Sequence, residues 1–287
     1  MAIAACSAVG LLLLYLVAVR THLGQEFDDL AFEGRAVVDP GVTRATNELL
    51  HSITRSSLVL LTAAVVLFAL ARRRFRLALI VGSAVTVSVL TAEVLKHRVL
   101  DRPSLDDIAG IGFNSFPSGH ATIGMALSLA VVMVAPHRWR WLAALLAMSL
   151  ALAFGTGVVA TGWHRPSDVI GAFLVCTAVF ATATFVLLRW RGTGDEATRF
   201  FGEVESQLTP STVAGAGALI AAAAGVAIWR TTQQDGLRTV EFAWDYVAVC
   251  LAILGAGITI ILGYHELLRG VSLDAPRYSL HRADLGE

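Results

Sequence analysis

The sequence predicts an all-α protein, a polytopic bundle of transmembrane helices. Hydrophobic residues make up 56% of the 287 residues and charged residues only 15%, a balance typical of proteins whose solvent is the bilayer. Most charged residues fall in short segments between long apolar runs. Many of these runs are about as long as a helix must be to cross the hydrocarbon core.

The apolar runs predict about eight spans, a core of six helices followed by two C-terminal helices. The first run lacks the basic n-region and clear cleavage site of a secretory signal, so we interpret it as a membrane anchor. The predicted spans are Ala2 to Val19, Ser57 to Leu70, Leu77 to Leu95, Gly119 to Ala135, Leu142 to Ala160, Ser167 to Leu188, Val213 to Trp229 and Tyr246 to Gly263.

The polar segment Arg20 to Arg55 separates the first two spans. Its acidic residues outnumber its basic ones. We interpret it as a connecting segment outside the membrane, with room for a short surface helix.

Short basic loops predict the orientation of the bundle. Arginines at 72–76, 138–140 and 189–191 fall on alternate connections, so they share one face. Lys and Arg concentrate in cytoplasmic loops, which assigns that face and both termini to the cytoplasm. All six tryptophans lie near predicted span ends, as an interfacial aromatic belt requires. We therefore expect an integral protein of a bacterial-type plasma membrane.

The charge and cysteine content exclude several kinds of protein. The chain has 22 basic and 22 acidic residues, and zero net charge gives no general attraction to nucleic acid. Cys6, Cys176 and Cys250 lie in apolar runs without metal-ligand spacing, so neither a disulfide framework nor a zinc site is predicted. We expect no cofactor, no metal and no nucleic-acid partner. The number of chains in an assembly is not fixed by these patterns.

Three polar stretches converge on the opposite, extracytoplasmic side. Lys96 and Arg102 follow the third span, Phe116 to Thr122 opens the fourth, and His164 to Asp168 opens the sixth. Ionisable residues are costly in lipid, so their convergence indicates a site. The side chains of Lys96 and Arg102 offer positive charge to phosphate oxygens.

The fourth span begins with features that suit an anion. Ser118 is a plausible N-cap. Its hydroxyl and the neighbouring amides, including that of Gly119, would face an anion at the positive end of the helix.

Two histidines suit phosphoryl transfer. If the sixth helix begins near Pro166, Asp168 accepts a hydrogen bond from one ring nitrogen of His164 and leaves the other to attack phosphorus. His120 would then protonate the leaving alkoxide. The predicted catalytic residues are His164, His120 and Asp168.

The Pro-Ser-Gly-His stretch at 117–120 and the His164-x-x-x-Asp168 pair resemble the second and third motifs of the type 2 phosphatidic acid phosphatase superfamily. These are integral-membrane lipid phosphatases related to vanadium haloperoxidases. The resemblance covers Leu77 to Leu188. It implies a metal-independent phosphatase acting on a membrane lipid phosphate or pyrophosphate at the outer leaflet, with His164 as nucleophile and His120 as acid.

This resemblance also suggests how the chain is divided. The predicted parts are a phosphatase core at 1–191 with its motifs within 96–168, a cytoplasmic linker at 192–210, two additional transmembrane helices at 211–264 and a cytoplasmic tail at 265–287.

Two departures from the family pattern concern phosphate binding. Five residues separate Lys96 from Arg102, one fewer than in the family's first motif. The Ser-Arg pair that opens the third motif is replaced by Gly157 and Val158. We hypothesise that Arg165 supplies the missing cation. The phosphate-binding set is then Lys96, Arg102, Ser118, Gly119 and Arg165.

Other functions are compatible with the same residues. A phosphotransferase would pass the phosphoryl group from the same histidine intermediate to a lipid alcohol instead of water. A non-catalytic membrane scaffold or lipid transporter would explain the altered cation set. Phosphatidic acid, phosphatidylglycerol phosphate and polyprenyl phosphate or pyrophosphate all suit the chemistry, since the motifs contact only phosphate.

Overall fold

A computed structural model describes residues 1–53, 55–105, 114–190 and 238–269, and every regular element in these ranges is helical. A π-helical turn at Tyr15–Val19 extends the first helix and another at Leu95–Val99 extends the fifth. The α-helices are α1 (Ala2–Leu14), α2 (His22–Glu33), α3 (Pro40–Ser52), α4 (Arg55–Ala71), α5 (Phe75–Val94), α6 (Gly119–Val134), α7 (Arg140–Ala160), α8 (Pro166–Trp190) and α9 (Arg238–Arg269).

The all-α prediction is confirmed for these residues, whereas the number of eight spans is not. Five helical stretches are long and apolar enough to cross a membrane, and α3 with α4 would add a sixth as one broken span. Helix α6 has 16 residues, about 24 Å at 1.5 Å per residue, which is short of a full crossing. The predicted span Val213 to Trp229 lies outside the described residues.

Helix α6 lies at the centre of the bundle. It packs against α4, α5, α7, α8 and α9, and most of its side chains are buried. Gly124 permits the closest approach, because a Cβ there would lie 2.6 Å from the ring of Phe154 on α7. The helix therefore holds its N-terminus, with the Ser-Gly-His stretch, inside the protein rather than at its edge.

One end of the bundle is tied together by arginines. Arg72 donates to the carbonyl of Val134 at 3.0 Å, and Arg76 donates to that of Trp190 at 3.1 Å. The C-termini of α6 and α8 thus lie beside the α4–α5 connection. The three site stretches consequently meet at the other end, where α5 and α7 end and α6 and α8 begin.

Arg140, one of the arginines that indicate the orientation, is not exposed. Its side chain is buried and donates to the carbonyl of Leu268 near the end of α9. The guanidinium therefore joins the start of α7 to the last described helix.

The segment Arg20 to Arg55 is more than a connection. Thr21 caps α2 by accepting from the Gly24 amide, and Asp39 caps α3 by accepting from the amides of Gly41 and Val42. Helix α2 packs against α8 and α9 and buries one face that includes two carboxylates. The buried residues of that face are Gln25, Asp28, Asp29, Ala31 and Phe32.

Helix α9 is longer than the predicted span at Tyr246 to Gly263. It packs against α6, α7, α8 and α2, and its last residues, 265–269, continue the helix into the predicted tail. The linker 192–210 and the seventh span lie outside the described residues, so the domain division stays a prediction.

Candidate active site

The backbone before His164 is set by the way α7 ends. The helix closes in a Schellman motif, in which the amide of Gly162 bonds Val159 and the amide of Trp163 bonds Val158, at 3.0 and 2.9 Å. Gly162 has φ +75, a left-handed conformation that glycine adopts without steric cost. The His164 amide also donates to the Val158 carbonyl at 3.2 Å, so the histidine leaves the helix in a defined direction.

His164 and Asp168 form the pair that the sequence spacing suggested. Helix α8 begins at Pro166, and His164 Nδ1 lies 3.2 Å from Asp168 Oδ2. An ionised carboxylate only accepts hydrogen bonds, so Nδ1 carries a proton and, in the neutral imidazole, Nε2 has the lone pair. This is the tautomer that a nucleophilic histidine requires.

Asp168 is fully buried and connects all three site stretches. Its Oδ2 also accepts from the hydroxyl of Ser115 at 2.6 Å and from the amide of Arg165 at 3.0 Å. The second of these bonds is half of a capping box at the start of α8. The carbonyl of Asp168 accepts from the Ser118 amide at 2.9 Å, which docks the start of α6 against α8.

Arg102 lies between two carboxylates. Its Nη2 is 3.3 Å from Asp28 Oδ2, and its Nη1 is 3.9 Å from Asp168 Oδ1. The guanidinium is thus held where the chain after α5 meets the start of α8 and the middle of α2. Its side chain is only 5% exposed, so a phosphate bound there would be desolvated and strongly attracted.

Lys96 lies beside the N-terminus of α6. Its Nζ is 3.5 Å from Glu93 Oε1. A Cβ on Gly119 would lie 3.3 Å from that Oε1 and 3.6 Å from Nζ. The glycine therefore lets the ion pair approach the helix start closely, and Lys96 is placed to neutralise an anion bound there.

The start of α6 can also donate hydrogen bonds to an anion. Ser118 Oγ accepts from the amide of Ala121 at 3.2 Å, so the predicted N-cap is present. The amides of Gly119 and His120 lie in the first turn of α6, where no carbonyl of the helix is in position to accept from them. They remain as donors at the positive end of α6. The Ser118 amide is engaged by the Asp168 carbonyl, whereas its hydroxyl accepts from Ala121 and keeps its own O–H as a donor, so the binding role of Ser118 stays a prediction.

His120 belongs to the same cluster. It is half-buried, and its ring lies edge-on to Trp163 with 4.9 Å between centroids. His164, Lys96 and His51 all act on it electrostatically. His51 contacts the same indole at 4.6 Å, and Trp163 Nε1 donates to Asn47 at 2.9 Å. Helix α3 therefore forms one wall of the site. Trp163 contacts His120 in the site and also lies near the end of a predicted span.

Comparison with known proteins bears on this arrangement. Residues 77–193 match the model of the PAP2 superfamily, the type 2 phosphatidic acid phosphatases, and this range contains all three site stretches. The match covers less than half of the 287-residue chain, so it shows that this region is similar to the PAP2 superfamily. No curated protein sequence matches the chain significantly.

One solved structure shares the PAP2 fold with this chain. It is described as the first transmembrane PAP2-type phosphatidylglycerolphosphate phosphatase from Bacillus subtilis. The TM-score is 0.53 at 20% sequence identity, and the likeness covers 64% of this chain and 95% of the other. At this identity the likeness concerns the fold alone. This likeness and the apolar helices of the described ranges both support an integral membrane protein.

The stretch that resembles the third PAP2 motif lacks the arginine of that motif, and the structure shows which residues lie there instead. Val158 is fully buried in α7, and a Cβ on Gly157 would lie 3.1 Å from Thr46 of α3. Arg165, the hypothetical replacement, is buried and its Nε donates to Asp29 Oδ1. The Asp29 carboxylate balances the Arg165 charge, so the replacement stays a prediction whose test must include Asp29.

Three residues that hold the PAP2 motifs together were missed by sequence reasoning. Asn114 donates to the carbonyls of Lys96 and Leu100 at 3.0 and 2.8 Å and accepts from the Phe116 amide. Ser115 bonds Asp168, and Asp28 bonds Ser167. Asn114 and Ser115 directly precede Phe116 in the sequence, and this position was the signal that could have identified them. The sequence around Asp28 gave no such signal, because no neighbouring residue distinguishes it from an acidic residue exposed to solvent.

No group of three or more potential metal ligands among His, Cys, Asp and Glu occurs in the described ranges.

Proposed function

We propose that the protein is a lipid phosphate phosphatase that works through a phosphohistidine on His164. One observation carries this proposal: the His164–Asp168 pair at the start of α8 lies against the start of α6, where His120 and two amides without an acceptor among the described residues are located. A nucleophile, an acid and an anion-binding helix end are thus within one cluster.

Substrate binding would use the positive groups around that cluster. The phosphoryl oxygens would accept from the amides of Gly119 and His120 and from Lys96 and Arg102. Negative charge spreads over these oxygens in the transition state, so fixed donors in a buried site stabilise it more than water does. Arg165 is proposed to add charge from beside His164.

The first chemical step forms a phosphorus–nitrogen bond. Nε2 of His164 attacks phosphorus while the bond to the lipid oxygen breaks. Asp168 stabilises the imidazolium that forms, as carboxylates do in catalytic triads. His120 donates a proton to the departing alkoxide, a contribution of about 10²–10⁴-fold in general acid catalysis.

The second step restores the enzyme. A water molecule loses a proton to His120 and attacks the phosphohistidine, which breaks the phosphorus–nitrogen bond. Inorganic phosphate leaves, and His164 returns to the neutral tautomer that Asp168 holds. Each histidine thus ends the cycle in the state in which it began.

A lipid is the substrate class that best suits the location. The site lies at the end of a bundle whose outward side chains are largely apolar, so a tail could remain in the bilayer while the headgroup enters the cluster. The named activity of the Bacillus subtilis relative supports a phosphorylated lipid. Phosphatidic acid, phosphatidylglycerol phosphate and polyprenyl phosphate are the substrates to compare.

Phosphate release from these lipids in detergent, with chelator present, tests the proposal. We expect His164→Ala to abolish release, and His97→Ala to leave it intact because that side chain is 61% exposed and bound to Glu93. A strict requirement for a divalent metal, or full activity in His164→Ala, would overturn the mechanism. Added lipid alcohols that become phosphorylated would instead indicate a phosphotransferase.

The proposed orientation places the site outside the cytoplasm and both termini inside. It rests on the arginine-rich end lying opposite the site. Asp101 is 74% exposed beside Arg102, so Asp101→Cys should react with a membrane-impermeant maleimide in intact cells. Labelling only after permeabilisation would reverse the assignment.

A further inference from the structure

Asp28 reaches the site from a helix outside the three motifs. Its Oδ1 accepts from the Ser167 amide at 3.0 Å, and its Oδ2 accepts from the Ser167 hydroxyl at 2.6 Å. The same Oδ2 is 3.3 Å from Nη2 of Arg102. One carboxylate therefore contacts both the start of α8, next to Asp168, and the arginine of the first motif.

Arg102 is only partly satisfied by this contact. Its buried Nη1 has no hydrogen-bond partner among the described residues, since Oδ1 of Asp168 lies 3.9 Å away. A guanidinium has five N–H donors in a rigid plane, so fixing one Nη also fixes the direction of the other. A buried donor without an acceptor is costly, and a phosphate oxygen would supply the acceptor.

The energetics argue against Asp28 as a simple structural anchor. Burial and the nearby Asp168 carboxylate raise the pKa of Asp28 to about 6, while Arg102 and the Ser167 hydrogen bonds oppose the shift. A raised carboxyl pKa means that ionised Asp28 costs folding stability near neutral pH. A residue that costs stability at this position calls for a functional explanation.

We propose that Asp28 is a positioning residue for phosphoryl transfer, holding one Nη of Arg102 so that the other is presented to the substrate phosphate. The proposal rests on the phosphatase function above. Asp28 itself does not touch the substrate. Its bonds to Ser167 keep α2 in register with the helix that carries Asp168, so the arginine is aligned with the His164 pair.

The Asp28→Asn variant tests this with little change in shape. An asparagine can still bond Ser167, but its amide lacks the negative charge that holds Arg102. We expect kcat/KM for the lipid phosphate to fall at least tenfold, with inorganic phosphate binding weakened about as much. Thermal stability at pH 7.5 should stay equal or rise. The matched control is Asp39→Asn, an exposed N-cap on α3 that asparagine also fills well.

A double-mutant cycle with Arg102→Lys separates positioning from general damage. If Asp28 acts through Arg102, Asp28→Asn should change phosphate affinity by less than twofold once the lysine is present. An equal tenfold loss in both backgrounds, or a loss of melting temperature in Asp28→Asn with unchanged kinetics, would overturn the proposal.

The phosphatase function and this inference can fail separately. Phosphate release by the wild type with kcat/KM unchanged in Asp28→Asn would leave the function standing and remove the inference. A wild type that binds phosphate but hydrolyses no lipid would remove the function, and the phosphate affinities of the same variants would still decide the role of Asp28. A wild type that neither binds nor releases phosphate would overturn both.

Discussion

Ser115 donates a 2.6 Å hydrogen bond to the same oxygen of Asp168 that receives His164 Nδ1. The carboxylate that orients the proposed nucleophile is therefore itself oriented by a residue that lies just before the Pro-Ser-Gly-His stretch. Two stretches more than fifty residues apart along the chain are joined through a single atom. The pairing makes the position of His164 depend on the loop before α6.

Removing the Ser115 hydroxyl should lower activity without unfolding the protein. We expect Ser115→Ala to reduce kcat about tenfold or more, because a hydrogen bond to a charged group contributes about 1.5–3 kcal/mol and the carboxylate could then rotate. Phosphate release measures the effect. Ser149→Ala is the control, since that exposed hydroxyl bonds only its own helix. Equal kcat in both variants would exclude a role for Ser115.

Gly162 should tolerate no side chain. Alanine there would adopt a strained φ of +75 and place its Cβ 2.9 Å from Arg35 Nε. We expect Gly162→Ala to cost about 1–3 kcal/mol and to lower kcat by displacing His164. Gly10→Ala, whose Cβ meets Leu174 at an ordinary 3.7 Å, should be neutral or stabilising. Melting temperatures of the two variants in detergent check this prediction, which fails if they agree.

Asp28 should make stability depend on pH. Its pKa is raised from 3.8 to about 6. Its contribution to the free energy of unfolding is therefore fully present below about pH 4 and is lost as the pH rises through 6. The loss amounts to about 3 kcal/mol for a shift of roughly two units. Asp28→Asn removes this titration, so its melting temperature relative to wild type should increase between pH 4.5 and 7.5. Parallel plots of melting temperature against pH for the two proteins would contradict the raised pKa of Asp28.

Arg165 and Asp29 test the replacement of the missing cation. If Arg165 acts on phosphate, Arg165→Ala should raise KM and weaken phosphate binding. Asp29→Asn should do the opposite, because it removes the carboxylate that balances the Arg165 charge. Steady-state kinetics on one lipid phosphate shows whether KM changes in opposite directions in the two variants. If Arg165→Ala leaves KM and phosphate affinity intact, the replacement hypothesis is wrong and the pair only joins α2 to α8.

Local patterns predicted the all-helical class and the contact between His164 and Asp168. Hydropathy runs indicate helices because the bilayer requires each backbone group to bond within its own segment. The spacing of His164 and Asp168 predicted their contact, since a helix starting at Pro166 brings residues four apart onto one side. Ser118 predicted the start of α6 for a similarly local reason.

The contribution of α2 could not be read in the same way. The burial of Asp28 and Asp29 is decided by partners on α8, Ser167 and Arg165, which lie far along the chain. The same is true of α9, whose packing against α7 and α2 leaves no periodic signal that names its partner. Tertiary contacts of this kind are specified by shape and charge across the fold rather than by neighbouring residues.

The bond between Asp28 and Ser167 spans 139 positions of sequence, and this separation has a consequence for biogenesis. At about 5–20 residues per second of synthesis, α2 emerges from the ribosome several seconds before its partner. During that interval the two adjacent carboxylates have neither Arg165 nor Ser167 to meet. We therefore expect α2 to stay in a hydrated setting until α8 arrives, and the candidate site to assemble late in translation.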